Sequence, residues 1–177
     1  MNIFEIIAKL IDMRSFSNLW YWIALAVVWS SASHWVLGVP WDMVGRARRK
    51  GAQAENDLVT LTLINARRLN VIWADAGVAI AIVLPFLLSF LGFTGFFYGA
   101  EIAQAVFLFA LPLSAVFALS MSLAHRLCAQ SGDGLGSDLV IRALSRHRVW
   151  VQAIGIAAII VTSFWGMFQN LRFSALF

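Results

Sequence analysis

Apolar and polar positions along this chain fall into blocks rather than alternating residue by residue. Four apolar runs cover 19–39, 71–91, 102–123 and 149–168. Each is about 20 residues, or about 30 Å as helix, the thickness of a bilayer's hydrocarbon core. The pattern predicts an all-α fold: an integral membrane four-helix bundle made of two hairpins, with 1–177 as a single transmembrane domain. Polar connections over 42–70 and 124–148 join the runs in pairs, and a tight turn at Gly92-Phe93-Thr94-Gly95 joins the pairs.

The connections carry a helical pattern of their own. From Ala54 the chain runs without Gly or Pro to the second span, and Leu58, Leu61, Ile64 (or Asn65) and Leu69 keep a stripe at helical spacing. One long helix is expected from about Ala54 to Leu91, kinked near Pro85. Ser137 is placed to cap a helix that opens with Asp138 and continues through the fourth span. Both helices would project beyond the bilayer as cytoplasmic extensions. Gly132–Ser137 is glycine-rich, but no strand precedes it and no Lys follows, so it reads as a loop rather than a phosphate cradle. At the start of the chain Ile3, Phe4, Ile7, Leu10 and Ile11 share one helical face, opposite Asn2, Glu5, Lys9 and Asp12. That predicts an N-terminal interfacial helix over 1–13. Glu5, Asp12 and Arg14 interrupt the segment, which argues against a cleavable signal.

Charge gives the orientation. Arg46, Arg48, Arg49, Lys50, Arg67 and Arg68 lie in the first connection, and Arg126, Arg142, Arg146 and Arg148 in the second. Only Lys9, Arg14 and Arg172 of the 13 basic residues lie elsewhere. The positive-inside rule then puts both connections in the cytoplasm and both termini outside. Trp20, Tyr21, Trp22, Tyr98 and Trp165 fall at the outer interface, and Trp35, Trp41, Trp73 and Trp150 near the inner one, as an aromatic belt would.

Composition agrees, with 61% hydrophobic and 12% charged residues. The net charge of +4 does not imply nucleic acid, because the basic residues flank apolar spans and suit anionic headgroups. The lone Cys128 gives neither a disulfide framework nor a thiolate cluster. The halves share short matches: Ser31-Ala32-Ser33-His34, Asp57-Leu58-Val59 and Gly77 against Ser122-Leu123-Ala124-His125, Asp138-Leu139-Val140 and Gly155. A parallel duplication would produce them, though such matches arise easily in a biased sequence.

Few residues carry candidate chemistry. His34 and His125 are the candidate cofactor-binding pair, as axial ligands of a haem or related macrocycle. Their depths differ by about 10 Å at 1.5 Å per residue, which favours separate structural roles. His147, between Arg146 and Arg148, reads as a solvated interfacial residue. Asp75 sits one turn inside the second span and is expected to pair with Arg126 or Arg148. Glu101 and Gln104 open the third span, with Lys9, Arg14 or Arg172 as partners for the acid. Pro85 and Pro112 fit packing kinks. Small residues, Ala74, Ala76, Gly77 and Ala79 in one span and Ala153, Gly155, Ala157 and Ala158 in another, permit close helix approach.

Residues 11–44, IDMRSFSNLWYWIALAVVWSSASHWVLGVPWDMV, resemble small alphaproteobacterial membrane proteins labelled "component of SufBCD complex". The resemblance covers roughly the first half of the chain. It implies a bacterial inner membrane; with the hydropathy and the charge asymmetry, the chain is expected to be multi-pass and N-out/C-out, with both termini on the periplasmic side. The label implies iron–sulfur cluster assembly. One cysteine cannot scaffold a cluster that takes four thiolates, and no ATP-binding motif is present.

No nucleophile–base pair and no acidic metal motif occurs, so the chain does not read as an enzyme. The expected function is a non-catalytic accessory, assembly or scaffolding subunit of a larger bacterial inner-membrane complex, energy-transducing for example. Its partners would be the lipid bilayer and other membrane protein subunits, not nucleic acid. No metal or cofactor is expected beyond bound lipids. The alternatives are a small transporter or channel component using Ser30, Ser31, Ser114, Ser120 and Asp75, and a haem-type cofactor-binding protein using His34 and His125.

Overall fold

A computed structural model describes Phe16, 19–131 and 134–174. The interfacial helix expected over 1–13 lies outside the described residues. The order is α1 (Leu19–His34), a small hairpin of β1 (Trp35–Val36) and β2 (Val39–Pro40), α2 (Trp41–Lys50), α3 (Ala52–Gly92), α4 (Glu101–Ala129) and α5 (Ser137–Ser174). Helix dominates, as the apolar blocks and the unbroken 54–91 pattern require. Three stretches, Ala52–Phe97, Glu101–Ala129 and Ser137–Leu171, are long and apolar enough to cross a membrane. Pro85 lies inside α3 and Pro112 inside α4, and neither ends its helix.

The first apolar run differs from the expected helix over 19–39. Its helix stops at His34 after 16 residues, about 24 Å of rise. Gly38 and Pro40 break the run, since proline cannot continue a helix interior and restricts the residue before it to extended backbone. The chain folds back there instead. Val36 pairs with Val39 across a two-residue loop, Leu37-Gly38, whose φ angles of 54° and 71° are those of a type I′ hairpin turn. Leucine at positive φ is strained by about 1–2 kcal/mol, and burial of Leu37 holds it there. Asn65 of α3 donates from Nδ2 to the Gly38 carbonyl at 3.1 Å, tying the turn to the long helix. Of the two phases open at 64–65, Asn65 therefore faces inward and Ile64 is exposed.

Packing is densest at the end where the arginines lie. Val36, Val39, Val44, Leu58, Leu127 and Leu144 are among the residues that form one continuous apolar core there. It joins the hairpin, α2, the leading halves of α3 and α5, and the tail of α4. At about 62 and 57 Å, α3 and α5 exceed a bilayer core by several turns, and these extensions are what the core buries. Ser137 donates its hydroxyl to Glu55, and Arg48 donates to Ser145 Oγ at 2.8 Å.

Along the apolar windows few residues are buried. α4 pairs with both α3 and α5, and α1 lies on α5. So α1 does not simply form a hairpin with α3, its neighbour in the sequence. The reason is local: the Trp29 ring rests on Gly155, where an added Cβ would come within 2.8 Å of it. Leu25, Trp29 and Ala158 form a second, smaller core.

At the far end Gln104 is buried. It donates to the Gly95 carbonyl at 2.8 Å and accepts from Trp165 Nε1 at 2.9 Å and from Gln169. The reversal is longer than a four-residue turn. α3 continues as a wider helical turn over Phe93–Phe97, and Gly95 meets the α4 backbone so closely that a Cβ would sit 2.8 Å from the Gln104 nitrogen. Glu101 accepts the Phe16 backbone N–H at 3.0 Å, and Trp22 donates to the Phe16 carbonyl.

Gly155→Ala should destabilise by about 1–3 kcal/mol through overpacking, and trimming Trp29 to Leu in the same chain should recover part of that loss. Gln104→Leu strips three partners of their bond and should cost about 1–3 kcal/mol for each buried group left orphaned. Thermal unfolding in one detergent, with circular dichroism as readout, measures both.

Candidate functional site

Chemistry-bearing side chains gather at the basic end, and helical phase decides which face inward. Along α5 the buried positions, Ile141 apart, are Val140, Leu144, His147, Val151, Gly155, Ala158, Thr162, Gly166 and Gln169. Their spacing of three and four residues makes one inward stripe over eight turns. His147 falls on it. The expectation of a solvated His147 is therefore corrected: it is only 7% exposed, and its Nε2 lies 3.2 Å from Ser120 Oγ on α4. Ser120 gives its proton to the Val116 carbonyl at 2.9 Å, so its oxygen can accept from an Nε2–H. The charged neighbours misled the reading, because two arginines on either side of a histidine say nothing about which way it points.

Arg146 and Arg148 diverge from that stripe. Arg148 lies over the Trp41 ring, 4.1 Å from its centroid, a cation–π contact between α5 and α2. Arg146 is exposed and lines a cleft of about 630 Å³ between α4 and α5, with Arg126, Arg142, Gln130 and Trp150. None of Arg126, Arg142 and Arg146 has an ion pair among the described residues, where Arg46–Asp42 at 3.1 Å is a pair of neighbours on α2. Arg126 also closes the end of a groove of about 540 Å³ between α3 and α4, beside Asn70, Trp73 and His125.

Asp75 pairs with neither Arg126 nor Arg148. It projects from the outward face of α3, within a stripe of Val71, Val78, Ile82 and Phe86 that are 59%, 78%, 66% and 66% exposed. The buried residues of α3, Leu58, Thr62, Ala66 and Gly77, occupy the opposite side. Only 6% of the most apolar window of α3 is buried, against 28% for α5.

The remaining candidates are dispersed. His34 is exposed at the end of α1, edge-on to Trp35 at 5.9 Å, whereas His125 is exposed on the α3–α4 groove. Among the described residues no three His, Cys, Asp or Glu side chains gather as a metal site would need. Ser30 and Ser31 are exposed on α1, and Ser114 bonds its own helix at Leu111. The sequence reading missed Trp29 and Asn65 as tertiary anchors. Glycine at 155 and the asparagine-or-isoleucine choice at 64–65 were the only signals for them.

Comparison with protein-family models, with curated proteins and with solved structures finds no match.

Ser120→Ala leaves the His147 ring buried without its partner and should cost about 1–3 kcal/mol. His34→Ala and His125→Ala, both at exposed rings, should each stay within about 0.5 kcal/mol of the parent. Thermal melts of the three variants side by side give the comparison.

Proposed function

We propose that this chain is a non-catalytic accessory subunit of a larger bacterial inner-membrane complex, held to its partner through the outward face of α3. The supporting observation is Asp75. A carboxylate among Val71, Val78, Ile82 and Phe86 faces away from the chain's own helices. Charge at that depth is costly unless it meets protein or water, and such residues usually face a partner. Exposed Ala74 and Ala79 flank the stripe and let a neighbouring helix approach closely. A basic or hydrogen-bonding side chain on the partner helix would complete the contact.

The basic end then lies in the cytoplasm and both termini in the periplasm, by the asymmetry of Lys and Arg. The resemblance of 11–44 to alphaproteobacterial membrane proteins supports the same membrane. The dispersed serines and the outward Asp75 do not favour a continuous polar path, and the two exposed histidines do not favour a shared macrocycle.

A photocrosslinking residue placed at Val78 should capture one distinct protein in the native membrane, and the same residue at Ile156 on α5 should not. Asp75→Leu should keep the parent's helical content yet lose the stoichiometric partner on extraction in mild detergent. A lone, colourless chain from wild-type membranes would sink the reading. A crosslink only between copies of this chain would move it to an oligomeric transporter, and a visible absorption band to a cofactor carrier.

A further inference from the structure

Three cationic side chains that have no ion pair among the described residues stand where two clefts meet. Arg142 and Arg146 are one turn apart on α5, and Arg126 faces them from α4 across the cleft of about 630 Å³. Neighbouring guanidinium groups repel, and such a cluster persists most easily with an anion between its members. The cleft does not end in water alone. Arg126 also caps the α3–α4 groove, which runs along α4 to Ser114, about 18 Å of helix. That length is a little over half the roughly 30 Å hydrocarbon core, the depth of one leaflet. The groove wall is apolar from Trp73 to Pro85. Beyond Ser114 a second apolar groove of about 600 Å³, sharing Leu84, Pro85, Ser114 and Ala118 with the first, continues toward α5.

We infer that this junction is a binding site for an anionic glycerophospholipid. Its phosphate lies between Arg126, Arg142 and Arg146, and one acyl chain lies in the α3–α4 groove. A basic cluster alone would take any anion, and an apolar groove alone would take any lipid. The continuity of the two through Arg126 selects a molecule that is anionic at one end and a hydrocarbon for a leaflet's depth beyond it. Basic pockets between membrane helices on the cytoplasmic side suit such headgroups. The inference rests on the chain's spanning the membrane with its basic end in the cytoplasm, and not on the identity of any protein partner.

The full chain, purified alone and stripped of lipid by detergent exchange, is titrated with phosphatidylglycerol and with phosphatidylcholine of the same chains, and bound lipid is counted by native mass spectrometry. Phosphatidylglycerol should be retained in preference. Arg126→Gln and Arg142→Gln should each weaken it about fivefold, whereas Arg67→Gln with Arg68→Gln, exposed on α3 outside both clefts, should not. Equal retention of the two lipids, or equal loss in the Arg67/Arg68 control, overturns the inference. So does displacement by millimolar inorganic phosphate, which would mark a free-anion site. If the arginine variants fail to fold, the wild-type preference and its weakening by salt decide the matter. Because the lipid is read on the isolated chain, failure to find a protein partner and failure to find a lipid are separate results.

Discussion

Apolar burial at one end of the molecule is the interaction on which the rest of the structure depends. Apolar side chains are driven together only where the alternative is water, and within a bilayer the alternative is hydrocarbon as apolar as they are. The main core accordingly forms around Leu58, Leu127, Val140 and Leu144, where α3 and α5 extend past their apolar windows. The hairpin and α2 fold back over that same place, through Val36, Val39 and Val44. At this end the chain resembles a small soluble helical protein, and it holds the longer, lipid-compatible segments in register.

Elsewhere other forces take over. Between the apolar windows, association relies on shape and on a few polar bonds. Trp29 sits this close to α5 only because position 155 lacks a side chain. Gln104 ties together the reversal after α3, the start of α4 and the far end of α5 through three bonds. A buried amide so fully occupied acts as a rivet, since each partner would be orphaned without it.

What is left uncovered carries the functional reading. The stripe of α3 from Val71 to Phe86 stays exposed on the chain's own fold, and the proposed role as a subunit rests on it. Its acid lies on that surface rather than among the chain's own arginines. Those arginines are placed differently: Arg148 over an indole, and Arg126, Arg142 and Arg146 along the cleft between α4 and α5. Charge is thus divided between the face proposed for a protein partner and the junction inferred for a lipid.

The helical class, the three long apolar helices and the continuity of α3 from the polar connection into the second run were legible in the sequence. They follow from block hydropathy and from the absence of Gly and Pro over 54–76, which are local properties. The stop of α1 at His34 was written in Gly38 and Pro40, yet the length of the apolar run hid it. Burial of His147, the outward aim of Asp75 and the seating of α1 on α5 were decided only by the tertiary structure. Each depends on which of several nearly equivalent helix faces meets which neighbour. In a chain this apolar all faces look alike, and only contacts such as Trp29 on Gly155 and Gln104 with Gly95 distinguish them.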